Sequence, residues 1–177
     1  MTKKVYIIVV KEKIIMLNNA GLDIFISVSL RYLNLNAVRY AMEEENLMLE
    51  FAYNGNLSAS DQNEFIEHIN RSLYLYHNFS NTSSDNHEFM FQTVQNITLI
   101  RIITNLNLTS AQEIDLIVQL TQEYFNDNIM LDNEELDVGL DFTRQIKTNL
   151  LKRLDQEARP LSFVAYHQQG RVLVFHQ

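Results

Sequence analysis

Apolar residues along this chain recur with two periods, and the points where the period changes divide it into elements. Val5 to Val10 and Ile14 to Leu17 are apolar runs on either side of Lys11-Glu12-Lys13, which predicts an opening hairpin. Gly21 to Leu33 reads as a mostly buried helix, although its Ile, Val and Phe content keeps a strand open as the alternative. Val38, Tyr40 and Met42 alternate with smaller or polar residues, as do Leu47, Leu49, Phe51 and Tyr53 beyond Glu43-Glu44-Glu45-Asn46. That is a second hairpin. The period then becomes helical: Phe65, Ile66, Ile69 and Leu73 predict an amphipathic helix over Ser60 to Tyr76. Ser58 and Ser60 are its candidate N-caps, with Asp61 and Glu64 in its first turn.

His77 to His87 is polar throughout and reads as a linker, after which the same order begins again. Phe89 and Phe91 alternate with polar neighbours, Gln95-Asn96 makes a turn, and Ile97 to Thr104 returns. Thr109 and Ser110 cap a helix that buries Ile114, Ile117, Leu120 and Tyr124, with Gln112 and Glu113 in capping-box position. Sliding one copy onto the other by 51 positions, Asn54 onto Asn105, aligns strand, turn, cap and helix without a gap. The pattern predicts an internal duplication with sub-repeats at 38–76 and 89–125. Asp132 to Glu157 follows as a long helix, or two joined near Gly139, with Leu136, Leu140, Ile146, Leu150 and Leu154 as its apolar stripe. Pro160 ends it, and a C-terminal hairpin at 162–176 turns through Gln168-Gln169-Gly170, where the glycine suits a three-residue loop.

Together these elements predict an α+β fold in a single domain, 1–177. Several hairpins build one sheet or two smaller ones, helices cover a common side, and the repeats are related by a pseudo-two-fold. Composition fits: 46% of residues are apolar and 20% charged, close to globular averages. Cysteine is absent, which excludes disulfides, thiolate metal sites and a cysteine nucleophile, and fits a reducing compartment. The apolar run at Val5 to Val10 is shorter than a secretory core of about 7–15 residues, and no stretch nears the ~20 residues that span a bilayer. The expected address is the cytoplasm, with no membrane association.

Formal net charge is −8. Phosphate binding needs runs of Lys and Arg, and Lys147, Lys152, Arg153 and Arg159 are interleaved with Asp155 and Glu157, so nucleic acid is not an expected partner. His68, His77, His87, His167 and His176 lack zinc-ligand spacing, and His77 and His87 read as surface residues flanking the linker. Asp137, Asp141 and Glu134 share a helical face without the loop of a calcium site, and read as a solvated acidic helix start. No nucleophile elbow or glycine-rich phosphate loop occurs. The sequence therefore assigns no catalytic residue, no metal ligand and no cofactor.

One polar signature occurs in both sub-repeats. Asn54, Asn56 and Ser58 stand at one strand-to-helix junction, and Asn105, Asn107 and Thr109 stand at the other. Free N–H groups at a helix start bind anions, which makes these six the candidate ligand-binding residues, while turns and caps account for the same residue types. The resulting expectation is a non-enzymatic, acidic interaction or regulatory module that binds a protein partner or itself as a homodimer. The alternative is a small-molecule-binding domain or enzyme with its site between the repeats.

Overall fold

A computed structural model describes residues 20–82, 87–130, 162–168 and 171–176. Helix α1 (Ala20–Arg31) leads into strands β1 (Ala37–Ala41) and β2 (Asn46–Asn54), then helix α2 (Ala59–Ser80). Strands β3 (Glu88–Val94) and β4 (Ile97–Asn105) precede helix α3 (Ala111–Phe125) and a single 3-10 turn at Asn126–Asn128. Strands β5 (Ser162–Gln168) and β6 (Arg171–His176) close the described chain. The six strands form one antiparallel sheet in the order β3-β4-β2-β1-β5-β6, so the fold is α+β.

Alternation along the strands places Val38 and Tyr40 of β1, Leu47, Leu49 and Phe51 of β2, and Ile100 and Ile102 of β4 on one face, all fully buried. The three helices pack on that face. Phe25 of α1 stacks near Tyr40 and Phe163, while Phe65 of α2 meets Phe89, Phe91 and Phe125 edge-on or tilted. One cluster results, from Leu22 of α1 to Phe125 of α3 and Val172 of β6. On the other face Glu50 of β2, only 6% exposed, accepts from Arg101 Nε of β4 at 2.6 Å and from Asn36 Nδ2 at 2.5 Å.

The helical reading of Gly21 to Leu33 holds as Ala20–Arg31, since its buried positions Leu22, Phe25, Ile26, Val28 and Ser29 follow a helical stripe. Gly21 lies where the helix crosses Tyr40: a Cβ there would stand 2.6 Å from Tyr40 Cζ and closer still to its hydroxyl. Helix α2 runs four residues beyond Tyr76, because His77 continues the buried stripe Phe65-Ile69-Leu73. The polar segment at 77–87 is thus helical in its first four residues. In the C-terminal hairpin Gln168 faces Arg171, a two-residue register in place of the expected three-residue loop. That register pairs His167 with Val172 and His176 with Phe163, at opposite ends of the hairpin.

Both candidate repeats have the order hairpin then helix, and β2 pairs with β4 so that Glu50 faces Arg101, 51 residues on. The hairpin turns differ: Ala41 faces Asn46 across four residues, and Val94 faces Ile97 across two. The gapless superposition therefore stops at the turns. The expected opening hairpin at 5–17, the helix at 132–157, and Lys147, Lys152, Arg153, Arg159, Glu134, Asp137 and Asp141 lie outside the described residues.

Candidate functional site

The end of α2 combines two features that an ordinary surface helix lacks. Outward, Tyr74, Leu75 and Phe79 are 62%, 50% and 88% exposed. Leu75 and Phe79 are one turn apart and side by side, an apolar pair on the last two turns, and Tyr74 is exposed about 100° round the helix from Leu75. Inward, the same turns carry His77, whose ring lies in the interface with α3.

His77 is buried because it occupies the fourth place of the stripe Phe65, Ile69, Leu73, His77. Asn81 ends the helix in the left-handed conformation (φ 52°), a place that asparagine tolerates where glycine is scarce. The turn it makes sends the N–H groups of Asn81 and Thr82 to the His77 carbonyl and brings the Thr82 hydroxyl to 2.7 Å from His77 Nδ1. Ser80 Oγ donates to the Tyr76 carbonyl at 2.8 Å and lies 2.8 Å from Thr82 Oγ1.

The partner of His77 comes from α3. Ser110 is the N-cap and accepts from Glu113 N at 3.2 Å, so the helix starts as its sequence predicts. The Glu113 side chain, however, does not complete a capping box. It falls on the buried stripe Glu113, Ile117, Thr121, Phe125 and turns into the core. There Oε1 is 3.0 Å from His77 Nε2 and 3.0 Å from Nε2 of His87, the residue just before β3. The three side chains are 5%, 2% and 1% exposed. Burial pushes the Glu113 carboxyl up, and the His87 hydrogen bond with the charge and hydrogen bond of His77 outweighs it, so the group titrates below the ordinary glutamate range. His87 Nδ1 is buried with no hydrogen-bond partner among the described residues.

His77 and His87 are therefore not surface residues of a linker. They converge on one carboxylate between the helices of the two candidate repeats. Sequence reasoning missed this cluster, yet a signal was present: His77 and Glu113 are polar residues standing in phase with their helices' apolar stripes. His87 carried no such signal. Among the described residues no group of three His, Cys, Asp or Glu has a metal-holding arrangement.

The six candidate junction residues lie apart. Asn54 pairs with Ile97 and Asn105 with Asn46, eight ladder steps away, roughly 27 Å along the strands. Asn54 and Asn56 are exposed. Ser58 and Asp61 form a full capping box, and the Ser58 hydrogen bonds hold the Asp61 carboxyl below its ordinary range, so an anionic group already fills that helix start. Asn105 donates to the Glu44 carbonyl and to Asn46 Oδ1, and its own Oδ1 accepts from Asn107 N at 3.0 Å. Thr109, expected as a cap, is buried and hydrogen-bonded to Thr104, which leaves capping to Ser110. The His68 ring lies tilted against Tyr124, centroids 5.2 Å apart, and His167 Nε2 donates to the Ser29 carbonyl at 2.6 Å.

A shallow cleft of about 190 Å³ opens between α1 and α3, lined among others by Asp23, Ser27, Arg31, Tyr32 and Asp115. It is smaller than the roughly 300 Å³ at which ligand pockets begin, and Asp115 already accepts from Arg31 at 2.8 Å and from the Tyr32 hydroxyl. No helix among the described residues is long and apolar enough to cross a membrane. No protein-family model, curated protein or solved structure matches the chain.

Proposed function

We propose that this chain is a non-catalytic, acidic protein-binding module whose docking face is the outer face of the last two turns of α2. The observation that carries this reading is the solvent-facing trio Tyr74, Leu75 and Phe79, with Phe79 at 88% exposure. Burying an exposed Leu or Phe stabilises a contact by about 1.5–3 kcal/mol, so two of these side chains supply most of a micromolar interface's apolar core. Docking helices use residues one turn apart in this way. Toward its N-terminus the exposed side of α2 carries Asp61, Glu64 and Glu67, Arg71 is its exposed arginine one turn before Leu75, and the chain carries a net charge of −8. A basic amphipathic partner complements that field, whereas a second copy would meet its own charge.

A selection of displayed peptides against the full chain tests the reading, with the Leu75→Ser/Phe79→Ser variant as counter-target. Enriched peptides are expected to be basic and apolar and to lose at least tenfold in affinity for the variant. If enriched peptides bind the variant equally well, the docking face lies elsewhere. Sedimentation over a wide concentration range separates the homodimer, which would appear as a mass that doubles and returns to monomer in the variant.

The same reading takes the two hairpin–helix units as copies of one ancestral unit, a view supported by the β2–β4 register that sets Glu50 opposite Arg101. It also keeps the cytoplasm as the address, supported by the cysteine-free composition.

A further inference from the structure

We propose that His77, Glu113 and His87 form a one-proton clasp, in which an extra proton held on His77 locks the end of α2 to α3. Counting hydrogens leads there. The Tyr76 carbonyl has no proton to give, so the single hydroxyl proton of Ser80 is spent on it. The contact between Ser80 Oγ and Thr82 Oγ1 then takes the Thr82 proton. With both hydroxyls committed, the 2.7 Å contact between Thr82 and His77 Nδ1 has only the ring to supply its hydrogen. His77 Nε2 must also donate, since it faces the Glu113 carboxylate. Both ring nitrogens of His77 therefore carry protons, and the ring is an imidazolium.

His87 completes the balance. Its Nε2 donates to the same Glu113 oxygen, and its buried Nδ1 has no acceptor to donate to among the described residues, so the neutral tautomer protonated on Nε2 is the one that fits. The cluster then holds one carboxylate, one imidazolium and one neutral imidazole, with no net charge in a buried site. Position favours it as well, because a cation in the last turn of α2 meets the negative end of the helix dipole.

Among the described residues, the groups facing the clasp come from three elements. From α2 they are His77 and Tyr76, whose ring sits edge-on at 5.4 Å; from α3, Glu113; from the head of β3, His87. Of the other charged groups among the described residues, Glu88 is exposed, Asp115 is bound to Arg31, and Arg101 of β4 is on the opposite face with Glu50.

A rise in pH removes the His77 proton, leaving the hydroxyl chain one hydrogen short and Glu113 without its cation. A fall in pH protonates His87 on a nitrogen with no acceptor in the described structure, or neutralises Glu113. Either way the end of α2 loosens from α3. The clasp stands on the hydrogen count alone. Its consequence for docking, that pH governs presentation of Leu75 and Phe79 on the same turns, rests on the function proposed above.

Imidazole ¹⁵N–¹H correlation spectra of the full chain across a pH series test the clasp at the ring nitrogens, independently of any partner. At neutral pH, His77 is expected to show two protonated nitrogens and His87 a protonated Nε2 beside a bare Nδ1. A bare nitrogen on His77 in the wild-type chain overturns the proposal. Thr82→Val removes the acceptor of the Nδ1 proton outside the packed core, and is expected to leave His77 with a bare Nδ1 at neutral pH. Two protonated nitrogens on His77 in that variant overturn the hydrogen count. Glu113→Gln is expected to leave His77 neutral at the same pH; should that variant not fold, Thr82→Val decides. Peptide binding is then followed across the same pH series. A clasp present at the rings with pH-independent binding rejects the docking consequence and leaves the clasp standing.

Discussion

Replacing Gly21 with alanine adds one methyl group at the most crowded point of the α1–sheet contact. The new Cβ would sit 2.6 Å from Tyr40 Cζ, closer still to the Tyr40 hydroxyl, and 3.0 Å from Glu45 Oε2. Tyr40 cannot swing into space, because it is fully buried and stacked near Phe25. Its hydroxyl donates to Glu45 Oε2 at 2.7 Å, a bond to a charged acceptor that moving either group weakens. Overpacking of this kind costs about 1–3 kcal/mol, and a hydrogen bond to a charged group contributes about 1.5–3 kcal/mol. Against these stands the alanine preference of a helix, at most about 1 kcal/mol. The net expectation for Gly21→Ala is a loss of about 2–3 kcal/mol, read as a lower urea midpoint with an unchanged slope. A double-mutant cycle with Tyr40→Phe identifies the cause. The phenylalanine removes the nearer of the two Tyr40 contacts and keeps Cζ, so it should recover part of the alanine's cost and none of the rest. Unchanged or increased stability in Gly21→Ala would refute the reasoning. Strict additivity with Tyr40→Phe would show that the hydroxyl is not what the methyl meets.

Three further outcomes follow from the described contacts. Glu113 titrates lower in the folded chain than unfolded, so its contribution is complete above the ordinary glutamate range near 4.3 and is lost as pH falls through its folded value. Urea midpoints should therefore drop on the acid side, and Glu113→Gln should flatten that limb. Ser58→Ala removes the side chain that accepts from Asp61 N and returns a bond to its carboxylate, and should lower the thermal midpoint by a few degrees with little change in the folded spectrum. Glu50→Ala leaves Arg101 and Asn36 without their acceptor on the sheet, for an expected loss of about 3 kcal/mol. The Glu50→Leu/Arg101→Met pair should recover most of that loss in chemical denaturation.

Much of this fold could be read from period alone. The hairpins at 38–53 and 89–104 and the helices after them come from apolar positions spaced at two and at about three and a half, which is a local property of each segment. The candidate site was legible only in part. The cap at Ser58 is where the sequence puts it, because its partners lie three residues away. Glu113 shows why the rest was hidden. Its spacing from Ser110 offers a capping box, and its phase with Ile117 and Thr121 offers the core; local pattern cannot rank the two. Two histidines arriving from α2 and from the head of β3 settle the matter for the core, and His87 is 26 residues from Glu113. The exposed trio was hidden in part for a related reason. Period alone gives the stripe Phe65, Ile69 and Leu73 and leaves Tyr74 and Leu75 off it, but Phe79 falls in the polar segment that reads as a linker, and only the structure continues the helix to Ser80.

The sequence by itself determined that the chain folds through hairpins and amphipathic helices, where most of those elements start, and how acidic it is. Those are consequences of backbone geometry acting over a few residues. Only the tertiary structure decided the strand order β3-β4-β2-β1-β5-β6, the face that the helices share, and the meeting of His77, Glu113 and His87. Strand order and burial depend on which apolar surfaces meet. A polar residue on an apolar stripe finds its meaning only when a partner reaches it from elsewhere in the chain.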